Sequence, residues 1–76
     1  MRHPSPICAL SDREMQVLTH IADDMTDHQI ARELAISERT VRAHVSRIIN
    51  KLGVASRVGA AVAVTRWMTH TAPEPV

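Results

Sequence analysis

Three polar side chains fall in one register: Arg39, Arg42 and Ser46, spaced three and four apart in the segment 38–52. That spacing lines one face of an α-helix, because each residue turns the chain by about 100°. A guanidinium donates paired hydrogen bonds to a phosphate or a guanine edge, and a hydroxyl donates or accepts. The chemistry on offer is recognition of a polyanion. Around the same helix, Val41, Val45, Ile48 and Leu52 fall in one narrow apolar stripe. Arg39, Arg42, Ala43, Ser46 and Asn50 lie opposite, with Arg47 and Lys51 at the flank, and no acid interrupts that face. One side can be pressed on a core and the other on a polyanion, the division of labour that a DNA recognition helix needs.

Other chemistries find no support. His20, His28 and His70 have no ligand-like spacing with Cys8 or with one another, so neither a metal nor a cofactor is expected. His44 sits at the edge of the apolar stripe and reads as a structural or phosphate-facing histidine. No nucleophile–base–orienter set is visible, and a chain of 76 residues is too small for a closed catalytic cavity. An enzyme is not expected. The single cysteine rules out an internal disulfide and fits a reducing compartment. No apolar run approaches the roughly 18 residues of a membrane span, and no signal-peptide pattern is present. A soluble, cytoplasmic protein is the expectation, with no membrane partner.

Composition narrows the fold. Phe and Tyr are missing and Trp67 stands alone, while 45% of residues are apolar. A core of Leu, Ile, Val, Ala and Met favours packed helices over a sheet. Net charge is only +1, but its distribution is uneven. Residues 1–38 carry three arginines against seven acids, and residues 39–76 carry six cations against Glu74 alone. That asymmetry is a footprint for a polyanionic partner.

The elements that would position the arginines can be read from their punctuation. Residues 1–10 hold Pro4 and Pro6 without a helical period and read as a flexible N-terminal arm. Ser11 with Glu14 forms a capping box that opens a first helix, with Met15, Leu18, Ile21, Ala22 and Met25 inward. Asp23-Asp24 end it. Thr26, with Gln29 three residues on, opens a second helix whose inner face is Ile30, Ala31 and Leu34. It ends near Ala35-Ile36. Ser37 caps a third helix over 38–52, which Gly53 closes in the left-handed conformation. Ser56 opens a fourth helix over roughly 57–68, apolar nearly all round, with Gly59 as an internal weak point. Residues 69–76 read as a flexible tail and 11–68 as one domain. The expectation is an all-α, four-helix fold whose second and third helices form a helix-turn-helix. One side of the last helix would stay exposed, and self-association through it is the natural resolution. Met15, Met25 and Met68 read as core filler, and Trp67 as a helix-end packing residue.

Placed together, Leu10-Ser11-x-Arg13-Glu14-x-x-Val17-Leu18, Ile30-Ala31-x-x-Leu34-x-Ile36-Ser37-x-x-Thr40-Val41-x-x-His44-Val45-x-x-Ile48 and Lys51-Leu52-Gly53-Val54-x-x-Arg57 form an ungapped pattern. It resembles the LuxR/GerE-type helix-turn-helix DNA-binding domain over about residues 10–66. The resemblance implies a tri-helical core, a third helix in the major groove and a fourth helix used for dimerisation. It implies base contacts at Arg42, Ala43 and Ser46, to which the exposed face adds Arg39. It implies phosphate contacts at Ser37, Thr40, Arg47 and Lys51, with Arg57 as a further backbone contact. Val58, Ala61, Val62 and Val64 are the dimerisation candidates. Two departures stand out: Asp24 occupies a position where the family usually has Gly, and Arg42 and Ser46 occupy positions that often hold Lys.

The expected function is therefore sequence-specific binding of double-stranded DNA and regulation of transcription in a bacterial cytoplasm, on the nucleoid. The expected state is a homodimer on DNA and a weak dimer or monomer when unbound. Members of such families usually carry an N-terminal receiver or ligand-binding domain. Nothing of that size precedes Ser11, so the chain reads as a stand-alone short regulator or an excised domain. The alternative is a helix-turn-helix module that contacts RNA polymerase or another regulator protein. It would call for apolar residues on the outer face of the third helix, where only Ala43 qualifies.

Overall fold

The computed structural model describes residues 6–71. Among them every regular element is helical: a 3-10 turn Pro6–Ala9, then α1 (Asp12–Ala22), α2 (Asp27–Leu34), α3 (Glu38–Leu52) and α4 (Arg57–Thr71). Each start has its chemistry. The Ser11 hydroxyl accepts the Glu14 N–H while the Glu14 carboxylate accepts the Ser11 N–H, and Thr26 and Gln29 repeat this reciprocal pair at α2. The Ser37 hydroxyl accepts the Thr40 N–H at α3. The Ser56 hydroxyl accepts more loosely, 3.4 Å from the Gly59 nitrogen, at α4.

The helix ends share one device. Asp24, Ala35 and Gly53 all take the left-handed conformation, with φ of 63°, 56° and 67°. The residue after each one then reaches back five positions. Met25 N–H bonds His20 C=O at 3.1 Å, Ile36 bonds Ala31 at 3.0 Å, and Val54 bonds Ile49 at 3.3 Å. This satisfies carbonyls that a helix end leaves without a partner. Met25, Ile36 and Val54 are all apolar, and all three pack against the core. Asp24 tolerates the turn where Gly is usual because a short polar side chain clashes least there. Ala35 has no such excuse, and its strain is carried by the packing of Ile36.

The core gathers Val17, Leu18 and Ile21 of α1, Ile30 and Ala31 of α2, Val41, Val45 and Ile48 of α3, and Ala60 and Val64 of α4. α3 packs on α1, α2, α4 and the N-terminal 3-10 turn. That turn corrects the expected arm. Ile7 is buried at 4% exposure and belongs to the core, so it anchors this turn to the domain. Apolar burial of one isoleucine outweighs the lack of a helical period around the prolines. Residues 1–5 lie outside the described residues. At the other end α4 continues to Thr71, past the expected boundary at 68. Residues 72–76 of the expected tail lie outside the described residues.

Gly59 also differs from expectation. A Cβ at that position would stand 3.1 Å from the Val54 Cβ. Its hydrogen lets the α3–α4 corner close onto the first turn of α4, so it is a packing requirement as well as a propensity cost.

One buried charge ties three elements together. Glu14 is 4% exposed. Its Oε1 accepts from the Ser11 N–H at 2.9 Å and from Lys51 Nζ at 2.7 Å. Lys51 also donates to the Ala9 carbonyl at 3.3 Å. The Lys51 hydrogen bond and then the Ser11 N–H hold the Glu14 carboxyl below its ordinary value of 4.5. Lys51→Met keeps the apolar stem and leaves the carboxylate only the Ser11 N–H. We expect a loss of about 1–3 kcal/mol at neutral pH, read by urea denaturation. A lowered folded-state value means the pair's contribution is complete above the ordinary value. It is lost as pH falls through the lowered one, so the gap between wild type and variant should close in acid.

Candidate nucleic-acid interface

α3 owes its position to its own apolar stripe. Val41, Val45 and Ile48 are buried, and that fixes the rotation of the helix about its axis. Arg39, Arg42, Ala43, Ser46, Arg47 and Asn50 are exposed. The described ion pairs engage neither Arg39 nor Arg47. At the start of the helix the Ser37 and Thr40 hydroxyls lie 2.9 Å apart and bond each other. Two hydroxyls share one mutual bond, which leaves one O–H to donate elsewhere. Arg42 is engaged at a distance: its Nη1 is 3.9 Å from Glu38 Oε1. The other oxygen, Oε2, lies 3.1 Å from His28 Nδ1 on α2. A carboxylate only accepts, so Nδ1 carries the proton in that bond.

Two of the expected phosphate contacts, Lys51 and Arg57, are engaged with acids of the fold. Lys51 is turned inward to Glu14 and Ala9, because the end of α3 packs on the start of α1 and the buried carboxylate needs a cation. Arg57 Nη1 donates to Asp27 Oδ1 at 2.7 Å, pinning the start of α4 to the start of α2. Both cations hold helices together. The spacing of basic residues does not distinguish a cation facing solvent from one facing an acid 30 or more residues away in the chain.

The outer side of α4 divides the same way. Val58 and Val62 are exposed at 67% and 45%, and Ala61 is half-buried. With Ile21, Ala22 and Met25 they line a shallow groove of about 560 Å³. Val64 is a correction: it is fully buried in the core, two residues and therefore about 200° of turn from Val62. Met68 is exposed at 47%, against its expected place in the core, while Trp67 is partly buried against the core.

Residues that pattern reading passed over are Glu38 and His28. The Glu38–Arg42 separation of four residues is the helical ion-pair spacing and was readable. The His28 contact spans two helices and has no local signal.

The geometry can be set beside known proteins. Residues 8–64 match the sequence pattern of bacterial regulatory proteins, luxR family. The chain belongs to that family. The spore germination protein GerE of Bacillus subtilis is 46% identical over 57 residues, covering 75% of this chain and 77% of GerE. A nitrate/nitrite response regulator homolog of Haemophilus influenzae is 48% identical over 58 residues, covering 76% of this chain. The chain spans only 28% of that protein's length. A solved structure of the transcription factor GerE superposes with a TM-score of 0.71 at 38% identity, over 76% of this chain and 87% of that one. The luxR family comprises regulators, not enzymes, and its fold is the helix-turn-helix.

The burial of α4 separates two substitutions only two residues apart. Val64→Glu places a carboxylate in the core and should unfold the domain, since an unpaired buried charge costs several kcal/mol against a stability of about 5–15. Val62→Glu meets solvent and should melt within a few degrees of wild type. Circular dichroism melts distinguish the two.

Proposed function

We propose that this chain binds double-stranded DNA with the exposed face of α3 in the major groove and thereby regulates transcription. The observation that carries the reading is that face itself. Arg39, Arg42, Ala43, Ser46 and Arg47 project from a helix whose opposite stripe is locked in the core. Arg42 and Arg39 suit bidentate contact with guanine, Ala43 the thymine methyl, and Ser46 either base class. Arg47, with the spare hydroxyl of the Ser37–Thr40 pair, suits phosphates, which set register without reading sequence. The relationship to the transcription factor GerE supports the same reading. Work of this kind belongs in the bacterial cytoplasm, at the nucleoid.

Pairing is part of the proposal. The apolar strip Val58, Ala61 and Val62 is small, well below what a stable dimer buries, so unbound chains should associate weakly. Two adjacent half-sites would raise the effective concentration and let the pair form on DNA, about one helical turn apart. The folded Val62→Glu variant should lose the cooperative gain of a two-site over a one-site duplex.

The decisive variant is Arg42→Ala. It leaves the core untouched, so the fold should survive. Discrimination between a selected duplex and a scrambled one should fall by about 1–3 kcal/mol in a competition gel shift. Unchanged discrimination would remove Arg42 from the reading head.

A further inference from the structure

α3 carries a single acid, and it sits where a DNA-binding surface tolerates it least. Glu38 occupies the first turn, its side chain 46% exposed, beside the arginines of the reading face. Ser37 already caps the helix, so Glu38 is not needed for that bond. An acid in a first turn does favour the helix dipole, and this would explain a carboxylate that floats in solvent. Glu38 does not float. His28 reaches across from α2 and holds Oε2 at 3.1 Å, which leaves Oε1 directed at Arg42 Nη1 at 3.9 Å.

The direction of Arg42 follows. Long side chains on a helix run back toward its N-terminus, over the preceding turn. For Arg42 the preceding turn is the one that bears Glu38. A guanidinium has five N–H donors in a rigid fork. At 3.9 Å the contact with Glu38 is an electrostatic one, longer than a hydrogen bond, so the fork keeps its donor pair for a guanine edge. The carboxylate, anchored by a second helix, then sets where the fork points before DNA arrives.

Resting on the DNA-binding reading above, we propose that Glu38, held by His28, is a positioning residue that orients the Arg42 guanidinium for base recognition. The role has an unusual signature. The negative charge opposes phosphates and so weakens binding to any duplex, while the orientation it imposes strengthens discrimination. Removing it should move the two quantities in opposite senses.

The test uses the whole chain and fluorescence anisotropy at fixed salt. One duplex is selected by the wild type from a random pool, and a scrambled duplex of equal length is the control. Glu38→Ala should leave scrambled-duplex affinity unchanged or higher and lower the selected-to-scrambled ratio about two- to fivefold, the range of an exposed ion pair. The loss should be confined to the base pair at which Arg42→Ala loses its preference. In an Arg42→Ala background the same change should leave the ratio where it was. Glu38→Gln keeps a side-chain acceptor without the charge and should fall between the two. Circular dichroism confirms that each variant is folded. An unchanged ratio in Glu38→Ala, or an equal fall with Arg42 already removed, overturns the positioning role. A wild type that binds every duplex alike overturns the DNA reading itself, and the positioning role with it.

Discussion

α3 must touch every other element and still keep one side clear. It packs on α1, α2, α4 and the N-terminal turn, yet it does so with a narrow stripe of small branched residues, Val41, Val45 and Ile48. A broader apolar face would seat the helix more firmly and bury the arginines. The narrow stripe leaves little area per helix, so its orientation is reinforced at both ends by polar contacts. The His28–Glu38 contact ties the entry to α2, and Lys51 on Glu14 and Ala9 ties the exit to α1 and the N-terminal turn.

The charges of the chain divide into two populations by that same logic. Lys51 and Arg57 are bonded to acids from distant helices and act as struts. Arg39 and Arg47 extend from α3 without an ion-pair partner among the described residues. Arg42 stands between the two groups, loosely paired through Glu38. Arg13, Arg32 and Arg66 are likewise exposed outside the described ion pairs, one each on α1, α2 and α4, so α3 differs in bearing several arginines on one exposed side.

Much of this was legible from residue order, and the parts that were not have a common cause. Ser11, Thr26 and Ser37 announce three helix starts because capping is a contact between residues three apart. The span of α3 and its buried stripe follow from spacing alone. Ile7, Lys51 and Arg57 have environments set by segments far away in the chain, which no local spacing reveals. Ile7 finds the core beside α3, and Lys51 finds an acid 37 positions earlier. Val64 shows a different limit. When a helix is apolar nearly all round, composition no longer marks which residues face inward. At Gly59 the residue order shows only a propensity cost, because nothing local reveals the Val54 Cβ beside it.

The left-handed corners have a consequence for how the domain assembles. Asp24 and Ala35 sit in a conformation that disfavours ordinary L-residues by about 1–2 kcal/mol. Neither residue would hold that shape in an isolated peptide. What holds it is the burial of the next residue, Met25 or Ile36, in a core that several helices build jointly. Each corner is therefore a debt that only the finished fold can settle. A fragment containing α2 and α3 alone has the letters of a helix-turn-helix without its angle, because the core under Ile36 is incomplete. The angle between α2 and α3 is thus a property of the assembled core rather than of the two helices alone.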